Sequence, residues 1–149
     1  MAVVRGRHVI DASAVVAALL PGEPAAVPAR RTLEACARGI VTLLSPQLLS
    51  YELAHTLLKA ERSRARRIPA EVTRAMAEDL DELGITLEGL TSSELLNAAR
   101  DYGCSGYDAA YVALALRERV SLITADRRLA RRVRTRAGAP SVTVYPDDT

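Results

Sequence analysis

Short apolar runs alternate with longer amphipathic stretches along most of this chain, and Pro or Gly stands at most of the changes. Residues 8–12 read as a first strand and 13–20 as a short helix stopped by Pro21-Gly22. A second helix spans 24–38, with Gly39 just past its end. Residues 40–44 read as a strand, apolar except at Thr42, as expected when both faces are covered. Ser45-Pro46 has the form of an N-cap followed by proline at the first helical position. The helix after it runs to about residue 62, with Leu49, Leu53 and Leu57 at i, i+4 and i+8 on one face. Pro69 opens a helix through 83, ended by Gly84, and 85–90 read as a strand. Thr91-Ser92-Ser93-Glu94 is a capping box that opens a helix to Tyr102, closed by Gly103. Ser105-Gly106 starts the next helix, to about residue 119. Residues 120–125 form a strand, 126–137 a helix and 141–145 a last strand before a polar tail.

Strands that alternate with helices pair in parallel, because each parallel crossover needs a helix-length connection. The pattern therefore predicts an α/β fold: a three-layer α/β/α sandwich around a mostly parallel five-stranded sheet. No repeat, low-complexity segment or long linker divides the chain, so its 149 residues read as one domain, 1–149. The absence of Phe and Trp predicts an aliphatic core of Ala, Val, Leu and Ile. No apolar run approaches the ~18 residues of a membrane span, and the first seven residues lack a signal-peptide apolar core. The expected location is the cytoplasm. Cys36 and Cys104 have no metal-site spacing and are too few for a disulfide framework, so both read as small buried hydrophobes.

The net charge of +2 does not by itself announce a nucleic-acid binder. The kind and placement of the cations change that picture. There are 19 Arg against a single Lys, Lys59, and they cluster at residues 62–67 and 127–136. A GC-rich codon bias explains the abundance of Arg but not the clustering. The planar guanidinium fork suits phosphate.

Four acids stand out by position. Asp11 ends the first strand and Asp126 the fourth, so one crevice outside the carboxyl ends of parallel strands can hold both. Glu52 lies between Leu49 and Leu53, close to the buried face of its helix. Asp108 opens a helix whose run from Ala109 to Leu116 is apolar enough to be buried almost all round, and an acid there must face something polar. Each also has a structural explanation. Asp11 and Asp126 suit helix N-caps, Asp108 suits the positive end of its helix, and Glu52 suits a solvated helix position. Several carboxylates brought together need a cation. An all-oxygen set without Cys or His suits Mg²⁺ or Mn²⁺, which support hydrolysis of phosphate esters by activating water and neutralising charge. His8 and His55 lack a zinc-pair spacing and read as structural. Tyr107 suits either stacking on a base or packing in the core, with packing the expectation.

Four motifs in order carry a resemblance: Val9-Ile10-Asp11-Ala12-Ser13-Ala14, Tyr51-Glu52-Leu53-Ala54, Tyr107-Asp108-Ala109-Ala110-Tyr111-Val112-Ala113-Leu114-Ala115 and Leu122-Ile123-Thr124-Ala125-Asp126-Arg127-Arg128-Leu129. Together they resemble the PIN-domain family, above all the VapC-type toxins of bacterial and archaeal toxin–antitoxin pairs. The resemblance covers nearly the whole chain. It implies that Asp11, Glu52, Asp108 and Asp126 form an acidic quartet that binds Mg²⁺ or Mn²⁺ and cleaves RNA, with Ser13 and Thr124 as hydroxyls that order the site. It also implies a homodimer silenced by a VapB-type antitoxin whose C-terminal segment covers the cleft. Some relatives carry a further acid just after the fourth, where this chain has Arg127 and Arg128, which leaves one metal or two open. Arg127, Arg128, Arg131, Arg132 and Arg134 follow Asp126 directly, so some lie near the cleft as candidates for RNA phosphates, Arg127, Arg128 and Arg131 first, against the alternative of a solvated helix face.

The leading expectation is a metal-dependent endoribonuclease. A haloacid-dehalogenase-type phosphatase also begins with an Asp after the first strand, but it needs a second Asp two residues on, where this chain has Ser13. A degenerate domain that only binds RNA or protein has no need of four clustered acids. Which RNA is cleaved is not legible.

Overall fold

The computed structural model describes residues 4–147. Met1, Ala2 and Val3 of the signal-peptide reading and the last two residues of the polar tail lie outside them. Among the described residues the chain runs β1 (Gly6–Ile10), α1 (Ala12–Leu19), α2 (Ala26–Ala37), β2 (Val41–Pro46), α3 (Leu48–Arg62) and α4 (Ala70–Glu82). It continues through β3 (Thr86–Glu88), α5 (Ser92–Tyr102), α6 (Gly106–Glu118), β4 (Ser121–Thr124), α7 (Arg127–Arg134) and β5 (Val142–Val144). The five strands form one sheet in the order β3-β2-β1-β4-β5, and every pairing is parallel.

That order places the site. From β1 the chain steps outward to β2 and β3, then returns across the sheet to β4 and steps outward to β5 on the other side. Right-handed crossovers put α1 to α4 on one face and α5 to α7 on the other. α1 packs on α2 and α3, and α5 packs on α6, which itself covers β1, β2 and β4. The direction reverses between β1 and β4, and the crevice at such a switch point, outside the carboxyl ends of the strands, is where open α/β sheets bind ligands. Val9 pairs with Leu122 and Ile10 with Ile123, so Asp11 and Asp126 both emerge at that edge.

The core is aliphatic in the sheet, where Val9, Ile10, Leu43, Leu122 and Ile123 are fully buried. It is not aliphatic throughout: Tyr102, Tyr111 and Tyr145 are buried with them. With no Phe or Trp, tyrosine supplies the large rings, and a buried tyrosine needs a partner for its hydroxyl. Thr32 bonds that of Tyr145 at 2.6 Å.

Ser45-Pro46 corrects the sequence reading. These residues are the last of β2, not the cap of α3, and strand pairing takes Pro46 opposite Glu88. The Ser45 hydroxyl donates to the Ile10 carbonyl at 2.6 Å, supplying a partner at the end of β1. The capping box at Thr91 and the left-handed Gly103 after α5 are present as read. No helix among the described residues is long and apolar enough to cross a membrane.

Candidate active site

Asp11 follows β1 directly. Its backbone N–H donates to the Ile123 carbonyl at 3.0 Å, which ties it to β4. Its side chain caps α1, with Oδ1 accepting from Ala14 N–H at 3.1 Å. The Ser13 hydroxyl donates to the same oxygen at 2.6 Å, and the Thr124 hydroxyl donates to Oδ2 at 2.5 Å. Both hydroxyls also hold the far strand: Ser13 Oγ accepts from Ala125 N–H and Thr124 Oγ1 from Asp126 N–H, each at 2.9 Å. The two hydroxyls singled out in the sequence thus latch Asp11 to the strand end that carries Asp126. Asp11 is only 4% exposed. Burial pushes its carboxyl up to about 6; the bonds from Ser13, Thr124 and Ala14 oppose the rise, and the Asp126 charge adds to it.

Asp126 caps α7, accepting from Arg128 N–H at 2.8 Å and Leu129 N–H at 3.1 Å. The structural explanation for Asp11 and Asp126 therefore holds, since both are N-caps. It does not exhaust them. Capping fixes each carboxylate at a helix start that faces the same crevice.

Asp108 lies half-buried in the first turn of α6, behind the cap Ser105, whose hydroxyl accepts from Asp108 N–H at 3.1 Å. Burial raises its pKa and the Asp126 charge raises it further, while Arg132 and Arg128 pull it down. Glu52 is half-buried on α3. Its Oε2 accepts from the hydroxyl of Tyr111 at 3.3 Å. Burial raises its pKa, the Tyr111 bond opposes this, and the charges of Asp11 and Asp108 add to the rise. The four acids form a closed circuit: Asp126 acts on Asp11 and Asp108, and both of these act on Glu52.

Electrostatic reach is longer than ligand reach. Among the described residues no three His, Cys, Asp or Glu side chains stand close enough to hold a metal as placed. Like charges that raise one another's pKa favour standing apart. The donor chemistry, carboxylate and hydroxyl oxygen alone, fits a hard divalent cation.

One residue beside the acids is not singled out by sequence. Tyr111 is 2% exposed, and burial followed by the Glu52 and Asp11 charges drives its pKa upward, so it stays a proton donor to Glu52. The available signal was its place three residues after Asp108, as the only aromatic in that apolar run. Arg132 acts on Asp108 more strongly than Arg128 does and donates to the Gly103 carbonyl at 3.0 Å. Among the cations named from sequence, Arg127 donates to the Pro146 carbonyl and Arg131 folds back onto the Arg127 carbonyl. Tyr107 corrects the packing expectation, because it is 68% exposed. It lines an apolar groove of about 340 Å³ with Gln47, Leu48 and Leu90. His8 bonds the Ser121 hydroxyl and the Arg5 carbonyl, as a structural histidine does, whereas His55 is exposed.

Tyr111→Phe removes the hydroxyl that orients Glu52 and leaves the ring in the core. Groups at one remove from a metal site are worth ~10–100-fold in affinity or activity, and a tenfold loss of either is expected here, with the melting midpoint little changed. Wild-type metal affinity and activity in that variant would remove Tyr111 from the site.

Comparison with known proteins identifies the family. A family model described as PIN domain matches residues 8–134. Ribonuclease VapC3 of Pyrobaculum aerophilum is 35% identical over 126 residues, covering 82% of this chain and 91% of that protein. The crystal structure of PAE2754 from Pyrobaculum aerophilum superposes with a TM-score of 0.65 at 23% identity, covering 91% of this chain and 83% of that one, a likeness of fold. The matched span holds all four acids, and with a VapC ribonuclease among its relatives the chain belongs to the PIN-domain family.

Proposed function

We propose that the chain, as a single PIN domain over residues 1–149, is a metal-dependent endoribonuclease and the toxin of a VapBC-type pair. The observation that carries this reading is the placement of Asp11 and Asp126, latched together through Ser13 and Thr124 at the β1/β4 switch point, with Asp108 and Glu52 near enough to feel their charges. The relative named Ribonuclease VapC3 supports RNA as the substrate and a VapB-type antitoxin as the partner. Homodimer formation and a cytoplasmic location belong to the same reading through the family resemblance.

The quartet would hold Mg²⁺ or Mn²⁺. Bound there, such an ion supplies acidity to an attacking water and neutralises charge on the scissile phosphate. The chain's own residues do the rest. Ser13 and Thr124 hold Asp11 by both oxygens, the α7 N–H groups hold Asp126, and Tyr111 holds Glu52. These bonds fix how each carboxylate is turned, and the acids would draw together as the cation cancels their mutual repulsion. Arg128 and Arg132, beside Asp108, stand where they can meet phosphates flanking the cut.

The test is hydrolysis of a mixed RNA pool by the purified chain with Mg²⁺, with Mn²⁺ and with a chelator. Cleavage that appears with either ion and stops on chelation is expected. RNA bound but never cut, in both metals, would favour the binding-only alternative. Cleavage indifferent to chelator would remove the metal.

A further inference from the structure

α3 carries a second feature that the quartet does not use. Glu52, His55, Lys59 and Arg62 fall at i, i+3, i+7 and i+10, so they share one face of the helix. His55, Lys59 and Arg62 are exposed on that face, although Glu52 is half-buried at its head. Tyr51, 76% exposed, stands at the head of the same stripe, next to Glu52. From Tyr51 to Arg62 the helix advances about 16 Å, room for a few nucleotides of extended chain. The stripe then runs into the turn that carries Arg64, Arg66 and Arg67. A hollow of about 350 Å³ lies along it, lined by His55, Thr56, Lys59, Ser63 and Arg66. Arg66 is tied to Glu23 at 3.0 Å. Among the described residues Lys59, Arg62, Arg64 and Arg67 enter no ion pair.

A solvated helix face needs no particular order of residues. This one places an exposed ring beside an acid of the site, then cations at one-turn intervals, then a basic turn. Unpaired nucleic-acid strands are held by rings that stack on bases and by cations that track the backbone. We infer that the α3 stripe from Tyr51 to Arg62, with the hollow at Lys59 and Arg66, is the track for single-stranded RNA on one side of the cut. The inference rests on the ribonuclease reading and adds to it the path of the strand. Tyr51 stacks a base next to the cut, and Lys59, Arg62 and Arg66 hold successive phosphates.

Binding of a fluorescent single-stranded oligoribonucleotide to the full chain, measured in chelator over a salt series, tests this track, with cleavage in Mg²⁺ run in parallel. Each phosphate contact on a single strand contributes ~0.7 to the slope of log affinity against log salt, so Lys59→Gln/Arg62→Gln lowers the slope by about 1.4. Tyr51→Ala weakens binding roughly tenfold at every salt. Arg38→Gln, at the C-cap of α2 and outside the stripe, changes neither. Should the Gln pair lower the melting midpoint, Lys59→Arg/Arg62→Lys keeps both charges and restores the slope. A wild-type slope and affinity in the Gln pair and in Tyr51→Ala, with RNA still cleaved by the wild type, overturn the track and leave the ribonuclease reading standing. Wild-type protein that neither binds nor cleaves RNA overturns both. Variants that lose an acidic protein partner but keep RNA also overturn it.

Discussion

Asp11→Asn is expected to abolish cleavage and to make the metal-free protein more stable at neutral pH. A bound cation is worth several kcal/mol of charge stabilisation, and each 1.36 kcal/mol is a factor of ten, so a loss of about 10³-fold or more is expected when a ligand of the site goes neutral. The stability change follows from burial. The folded carboxyl titrates at about 6 against an ordinary value of 3.8, chiefly because it is buried. A raised carboxyl pKa means that the folded state holds its proton more tightly than the unfolded one. Below pH 4 Asp11 is protonated in both states and costs nothing. Between pH 4 and 6 stability falls as pH rises, and above 6 the full cost remains, roughly 3 kcal/mol. Asn removes that charge. It also loses one acceptor, because an amide N–H cannot take the Thr124 hydroxyl bond, which returns ~1 kcal/mol. The net gain of about 2 kcal/mol corresponds to ~4–8 °C in melting midpoint at pH 7 in chelator. The gain should vanish at pH 4. A midpoint below that of the wild type at pH 7 would show that Asp11 is stabilised by its hydroxyl latch more than it is strained by burial.

The fold was legible because its periods are. The apolar runs at residues 8–12, 40–44 and 120–125 and the Leu49-Leu53-Leu57 stripe gave the alternation, and alternation gave a parallel sheet. Boundaries were less legible where tertiary pairing outweighs local preference. Ser45-Pro46 satisfies every local rule for a helix start, yet β3 pairs with it and Ile10 takes its hydroxyl. The acids were legible by position, since strand ends and helix starts are where an α/β sheet exposes its binding edge. Tyr111 was not, because a single aromatic inside an apolar run looks like core. Only the approach of α6 to α3 shows that its hydroxyl meets Glu52. Arg131 and Arg132 are adjacent in sequence, and only the path of α7 decides that Arg132 lies toward Asp108 while Arg131 turns back on its own helix. Packing is the sequence expectation for Tyr107, but α6 turns it to solvent above the groove.

Asp108→Asn should likewise end cleavage, and its comparison with Asp11→Asn separates a shared site from two separate ones. At Asp108 burial and the Asp126 charge raise the pKa, and the charge of Arg132, the Ser105 hydroxyl and the charge of Arg128 oppose the rise without cancelling it. Neutralising Asp108 therefore relieves repulsion in the metal-free protein and raises the melting midpoint in chelator. Groups that hold one ion fail together: once one is gone, removing the next costs little more. The Asp11→Asn/Asp108→Asn double variant should therefore cleave no worse than either single one. In stability the two gains should depart from additivity, because Asp11 and Asp108 share Asp126 and Glu52 as charged neighbours. Millimolar Mg²⁺ completes the comparison. A ligand at 100 times its Kd stabilises by ~2.7 kcal/mol, so the wild-type midpoint rises while those of both single variants stay nearly fixed. Losses of cleavage that multiply in the double variant, or a Mg²⁺ shift that survives Asp108→Asn, would mean that Asp108 belongs to α6 and not to the metal. The quartet would then shrink to the acids at the β1/β4 edge and Glu52.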